Sequence, residues 1–150
     1  MRYVGIVGNE GAKFTTDLER QARACIRGIL RRHPGCVVVS GHCHLGGIDL
    51  WAEQEAQAAG HETCIYEPDV LTWGDDGPRI GFKSRNLMIA ETSCEVHNIV
   101  VANYPPAYTG MRFTSCYHCK KRMPTHVKSG GCWTAWQAKK MGKYTEWWIL

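Results

Sequence analysis

Apolar positions along this chain switch between short unbroken runs and stripes at helical spacing. Tyr3 to Val7 is an apolar run ending at glycine and predicts a first buried strand. Thr16-Asp17-Leu18-Glu19 has the spacing of a capping box, with apolar residues following at Leu18, Ala22, Cys25, Ile26, Ile29 and Leu30. That pattern predicts an amphipathic helix closing near His33-Pro34-Gly35. Cys36 to Ser40, with three consecutive valines, predicts a second strand. Ile48, Ala52, Ala56 and Ala59 mark the inner stripe of a second helix stopped at Gly60. Glu62 to Tyr66 reads as a third strand, and Pro68, Gly74, Asp75, Asp76 and Gly77 make Glu67 to Pro78 a loop. A helix over Ser84 to Thr92 and a strand over Val96 to Ala102 follow. After an irregular insertion at about 103–128 come a helix over Ala135 to Met141 and a strand over Tyr144 to Leu150.

Strands thus alternate with helices, and the strands are apolar throughout, as expected where helices cover both faces. The pattern predicts one α/β domain with a mainly parallel sheet. Right-handed crossovers then bring the loops after the strands to one edge, where open α/β sheets bind their ligands. Four segments are expected there: Gly8-Asn9-Glu10-Gly11, Ser40 to Asp49, Lys83-Ser84-Arg85-Asn86 and Ser129-Gly130-Gly131. Two of them carry glycine pairs that lead into helices, Gly46-Gly47-Ile48-Asp49 and Gly130-Gly131-Cys132-Trp133-Thr134. A loop without side chains lets backbone N–H groups approach an anion, and the helix dipole adds to the attraction. Thr134 adds a hydroxyl, and Arg85 is a fork for phosphate or carboxylate. Plain structural readings stand beside these. Glycines serve tight turns, Asp49 suits a helix N-terminus, Asn86 suits a cap, and Arg85 suits pairing with Glu67 or Asp69.

Composition narrows the class. With 44% hydrophobic and 21% charged residues the chain is of ordinary globular make-up. No apolar run reaches the roughly 18–20 residues that span a bilayer, and MRYVGIVG lacks the features of a signal peptide. No membrane partner is expected, and the expected location is cytoplasm, of a cell or of one a virus has entered. The net charge of +4 is uneven. Residues 96–145 carry Arg112, Lys120, Lys121, Arg122, Lys128, Lys139, Lys140 and Lys143 and no acid. Such a segment favours an anionic partner, phosphate or nucleic acid, or else forms a solvated face.

Of the eight cysteines, Cys25, Cys36, Cys64 and Cys94 read as small buried hydrophobes. Cys43, Cys116, Cys119 and Cys132 fall in loops. Cys116 and Cys119 form a CxxC knuckle, and His126 and Cys132 complete a tetrahedral set for a structural zinc. A flexible reduced loop and a redox pair are the other readings, and His42, Cys43 and His44 are alternative ligands. Trp147 and Trp148 are adjacent strand residues, so one is expected to face outward and favour a homo-oligomer. Trp133 suits stacking on a base or packing under the insertion.

The order SG-x4-GGID-x2-A, then SRNLMI, then SGG-x2-TA-x2-A-x3-G resembles the SLOG superfamily, which includes the DprA and LOG proteins; the likeness is closest to the YspA/YpsA-like group. It runs through the whole chain outside the insertion. It implies a single Rossmann-like three-layer domain that binds a nucleotide or nucleotide-derived ligand. On that likeness Gly46, Gly47, Gly130, Gly131 and Thr134 would surround a phosphate, Arg85 and Asn86 would face ribose or phosphate, and Asp49 would bond a ribose hydroxyl. Gly8, Asn9, Ser40, Gly41 and Ser129 belong to the same loops. The chain departs from the LOG pattern PGGxGTxxE at SGGCWTAWQ, where Trp133 replaces a glycine and Gln137 stands at the position of the catalytic glutamate. Glutamine neither takes up a proton nor stabilises an oxocarbenium-like centre by charge. The first loop, GNEGAK, lacks the arginine usual in the YspA-like group and offers Glu10, which reads as a base or as a cap of the first helix. The leading expectation is therefore a nucleotide sensor or carrier that needs no cofactor for binding. An N-glycosidase using Glu10, Asp49 or His44 and a single-stranded nucleic-acid binder follow.

Overall fold

The computed structural model describes residues 1–150. Strands β1 (Tyr3–Gly8), β2 (Val37–Ser40), β3 (Glu62–Ile65), β4 (Glu95–Val100) and β5 (Tyr144–Ile149) form one sheet in the order β3-β2-β1-β4-β5. Every neighbouring pair is parallel, with Val4 opposite both Val38 and Glu95 and Asn98 opposite Trp147. Helices α1 (Thr16–Arg32), α2 (Ile48–Ala58), α3 (Phe82–Thr92) and α4 (Gly130–Lys140) cross between them. No helix is long and apolar enough to cross a membrane.

The period of two along each strand sorts the core into two faces. Val4, Ile6, Val38 and Ile99 pack with Ala22, Ile26, Ile29, Ile48, Ala52 and Ala56 of α1 and α2. Val7, Val39 and Val96 pack with Ile89, Ala90, Ala135 and Ala138 of α3 and α4. The result is a three-layer α/β domain, with the stretch between β4 and α4 irregular as its composition predicts.

Helix starts differ from expectation because side chains outside the apolar pattern supply the caps. Thr15, not Thr16, caps α1: its Oγ1 accepts from Leu18 N at 3.2 Å, which puts Leu18 where a capping box needs a glutamate. Asp75 accepts from Gly81 N at 2.9 Å and Ser84 Oγ at 2.8 Å, so α3 begins at Phe82; those bonds hold its carboxyl below the usual range. Ser129 Oγ accepts from Gly131 N at 3.1 Å, so α4 starts at Gly130 and its glycine pair forms the first turn instead of preceding it.

Three burial expectations also change. β3 is an edge strand whose Glu62, Thr63 and Ile65 are exposed, so it is not covered on both faces. Cys94 is exposed, standing in the turn between α3 and β4. Trp147 and Trp148 do point to opposite faces, but each is half-buried. Trp147 packs on Trp136 at 4.7 Å, and Trp148 joins the α1 side of the core.

Candidate ligand cavity and metal centre

From β1 the chain moves outward through β2 and β3 on one side, then crosses to β4 and β5 on the other. At such a reversal neighbouring loops part and leave a crevice beyond the strand ends. A cavity of about 670 Å³ opens there. Val7, Gly8 and Asn9 form its floor, and Glu10 and Lys13 stand in the turn beyond. Cys43, His44, Leu45 and Asp49 line one side, and Phe82, Arg85, Asn86 and Ile89 of α3 another, with Trp73 above. Tyr117, His118 and Lys128 of the insertion and Ser129, Gly130, Gly131 and Thr134 of α4 close it.

Gly8, Asn9, Glu10, Asp49, Arg85, Asn86, Ser129, Gly130, Gly131 and Thr134 are thus gathered in one place. Ser40, Gly41, Gly46 and Gly47 stand behind the wall. Gly47 has φ +84°, and a Cβ on it would lie 2.4 Å from Asn9 O and 2.5 Å from Gly11 N. The adjoining Ile48 N–H donates to Asn9 O at 3.1 Å, so this bend is used to pack the first loop. A Cβ on Gly41 would lie 2.6 Å from the Arg85 guanidinium. Ser40 Oγ donates to Glu53 at 2.7 Å and accepts from His42 N at 3.2 Å. The other bend differs. A Cβ on Gly131 would lie 2.8 Å from both Asn98 Oδ1 and Gly8 N, whereas Gly130 has open space around it. Both bends therefore flank one backbone segment, Gly8-Asn9, but only the α4 bend faces the cavity.

The polar side chains divide between structure and open chemistry. Asn9 accepts from Val101 N at 3.0 Å and donates to Lys128 O at 3.1 Å, stitching the β1 loop to the insertion. Arg85 is buried, donates to Gly41 O and to Asn86 Oδ1, and lies over the Phe82 ring; it pairs with neither Glu67 nor Asp69, and Asn86 caps nothing. Glu10 pairs with Lys13 at 3.0 Å and does not cap α1, because a short 3-10 turn over Gly11–Lys13 separates them. Burial pushes the Asp49 carboxyl up to about 6, only partly offset by Arg85 and the Cys43 N–H at 3.2 Å. The cavity thus holds the cations of Lys13, Arg85 and Lys128 against Glu10 and a carboxyl that titrates near neutrality. Trp73, Phe82 and Tyr117 add aromatic walls, with His44 stacked on Phe82 at 6.2 Å. Trp133 braces Trp73 edge-on at 5.0 Å and does not line the cavity; nor does Gln137.

Lys13, Trp73, Phe82 and His118 were not expected from sequence; Lys128 was expected only as part of the basic segment, and Tyr117 only as a contact for a nucleic-acid strand. Lys128 adjoins the glycine pair in HVKSGG, and Tyr117-His118 fill the CxxC, so adjacency was a usable signal. Trp73 stands within a turn-rich loop and Phe82 at the start of α3, and neither carried one.

Behind that wall lie Cys116, Cys119, His126 and Cys132, all buried, with their ligand atoms within 4.8 Å of one another. This group could hold a metal ion. His126 Nδ1–H donates to Val127 O at 2.8 Å, which leaves the Nε2 lone pair 3.4 Å from Cys119 Sγ and 3.8 Å from Cys132 Sγ. A tetrahedron with arms of about 2.0–2.3 Å has edges of about 3.3–3.8 Å. Trp136 Nε1–H donates to Cys119 Sγ at 3.4 Å and Asn98 Nδ2–H to Cys132 Sγ at 3.1 Å, the outer bonds that thiolate ligands attract. His42, Cys43 and His44 take no part: His42 bonds Glu53 at 2.7 Å.

No family model matches the sequence, and no curated protein does. Solved structures do match. TM1055, a structural-genomics protein, superposes with a TM-score of 0.61 at 16% identity over 97% of this chain and 72% of its own. A molybdenum cofactor carrier protein from Chlamydomonas reinhardtii gives 0.60 at 17% identity, covering 97% of this chain and 75% of that one. The chain shares the Rossmann-like α/β fold of these structures. DNA processing protein A from Streptococcus pneumoniae superposes with a TM-score of 0.58 at 17% identity over 97% of this chain, which spans half of its length. The sheet order belongs to this shared fold; of the four residues that could hold a metal, Cys116, Cys119 and His126 lie in the insertion and Cys132 in the first turn of α4.

Proposed function

We propose that the chain binds a nucleotide or nucleotide-derived anion in the cavity at the strand reversal and acts as a sensor or carrier. The observation that carries this is the juxtaposition of Gly130, open at the start of α4, with the Lys128 ammonium and the Trp73, Phe82 and Tyr117 rings. A helix start and a cation attract phosphate, and aromatic faces hold a base. The likeness of the loops to the YspA-like group and the fold shared with a cofactor carrier support the same reading. The test is calorimetric titration of a panel of nucleoside mono- and diphosphates and dinucleotides. At least one member is expected to bind, and Lys128→Ala to weaken it about tenfold with the circular dichroism unchanged; a panel without binding removes the proposal.

A second reading rests on Asp49. A cavity carboxyl titrating at about 6 is suited to general acid–base work, so N-glycoside hydrolysis stays an alternative. Chromatography of the panel after incubation would show free base, and Asp49→Asn would abolish it. For the three cysteines and the histidine we propose structural zinc, with one equivalent expected by elemental analysis. The exposed Lys120 and Lys121 permit single-stranded nucleic acid as a partner, which predicts binding that collapses as salt rises. A homo-oligomer through the β5 edge would appear in light scattering.

A further inference from the structure

We infer that the metal centre forms part of the ligand site, so that metal occupancy sets ligand affinity. The inference rests on the ligand-binding reading above, and on where the chain lies between the four ligating residues. Between Cys116 and Cys119 stand Tyr117 and His118; between His126 and Cys132 stand Lys128, Ser129, Gly130 and Gly131. All six line the cavity. A metal that fixes the four ligands fixes both ends of each of these segments, and therefore the whole wall.

That wall has no regular secondary structure of its own. From 101 to 129 there is neither helix nor strand. Its local core consists of Val100 and the three thiols Cys116, Cys119 and Cys132, with Met123, Trp136, Trp147 and Ile149 against them. Three cysteine side chains bury little apolar area, and their sulfurs lie within 4.8 Å of one another and of the His126 ring nitrogen. The remaining ties are single bonds and ring contacts: Val127 N–H donates to Val101 O at 2.8 Å, Arg122 donates to His118 O at 2.8 Å and lies 3.7 Å from the Trp136 ring, and Tyr117 meets Phe113 edge-on at 5.7 Å. Asn9 Nδ2 and Lys13 Nζ both donate to Lys128 O, at 3.1 and 3.3 Å, and the Lys128 ammonium lies 5.4 Å from the Tyr117 ring. Cys132 also belongs to the first turn of α4, so the metal is anchored to the helix start whose amides face the anion.

Ordering the wall is a cost that the metal meets in advance, so metal and anion each favour the other. By linkage the two effects are equal: the factor by which metal tightens the anion is the factor by which the anion tightens the metal. Couplings of this kind run from about 5- to 150-fold, and at least about tenfold is expected here.

The full chain, zinc-loaded and then stripped with a chelator, is titrated with the fluorescent trinitrophenyl analogue of ADP. The loaded form is expected to bind at least about tenfold more tightly, and readdition of zinc to restore it. Amide hydrogen exchange on the ligand-free protein is read alongside. Zinc removal is expected to speed exchange at 117–119 and 128–132 at least about tenfold while Val4 to Val7 and Val37 to Val39 stay protected. Equal affinity of the two forms, or equal exchange in the wall, overturns the inference. Binding by neither form removes the nucleotide reading and leaves the wall to be decided by exchange alone. A third arm does not depend on the stripped chain staying folded and keeps it loaded with cobalt(II). Saturating ADP is expected to raise retention of cobalt against a competing chelator by the same factor, and unchanged retention overturns the coupling.

Discussion

The two ends of the sheet carry polar clusters of similar make-up and opposite design. At the end where the strands begin, the donor atoms of His33, Glu95 and His97 lie within 4.8 Å of one another, as do those of Cys116, Cys119, His126 and Cys132 at the other end. Yet both Glu95 oxygens and both ring nitrogens of His97 have internal partners. Trp148 Nε1–H donates to His97 Nδ1 at 3.1 Å, so the ring proton sits on Nε2, which donates to Glu95 at 3.3 Å. His33 Nε2 reaches the same carboxylate at 2.8 Å and Arg2 at 3.1 Å. No nitrogen lone pair is aimed at a common point, and burial keeps His97 neutral by lowering its pKa. Where the strands end, His126 turns its lone pair toward the sulfurs, and Lys128, Asp49 and the start of α4 face a cavity. Proximity of titratable groups is shared; only the direction of donors and lone pairs separates a closed structural network from a site.

The largest effect that would break this contrast is at the cysteines. Cys119→Ser is expected to abolish bound zinc and cost about 4 kcal/mol, roughly a third of what zinc gives isolated zinc-finger peptides, lowering Tm by about 12 °C in calorimetry. Bound zinc unchanged in that variant would erase the distinction. Next is Asp49. Its folded-state pKa of about 6 lies above its ordinary 3.8, so between those values the folded chain holds a proton that the unfolded chain has lost. Stability of the ligand-free protein should therefore fall as pH rises from about 4 to about 6, by about 3 kcal/mol, and Asp49→Asn should flatten the curve. By the same sign, a dinucleotide whose phosphates do not titrate in this range binds more tightly at pH 5 than at pH 7.5. Glu95→Ala leaves three partners unmatched, one of them on the exposed Arg2, and is expected to cost about 2 kcal/mol, or about 6 °C, with zinc content unchanged. Smallest is His33→Gln, expected to cost under about 1 kcal/mol and again to leave zinc in place.

Much of the frame was legible because burial imposes periodicity. The alternation of β1, α1, β2 and α2 follows from where Val4, Ile26, Val38 and Ala52 must point, and the parallel order follows from the crossovers. What escaped was set by side chains that bond across long stretches of sequence. Nothing in the local pattern shows that Asp75 caps α3, that Ser129 caps α4, or that the loop after β3 carries Trp73 over the cavity. The glycine pairs show the same limit. Both looked alike in sequence, yet Gly47 is required by contact with Asn9 while Gly130 is open, a difference set by which neighbour each bend meets. The four residues that could hold a metal were legible as spacing alone; the tautomer of His126 and the donors from Trp136 and Asn98 needed coordinates.

Native mass spectrometry of the freshly purified chain, sprayed from volatile buffer without added ligand, reads the central claim most directly. The expected spectrum carries one zinc and, on the zinc-loaded species alone, an anionic adduct of nucleotide size that is reduced in Lys128→Ala. A bare chain with neither mass, which then fails to take up any nucleotide on titration, contradicts the account.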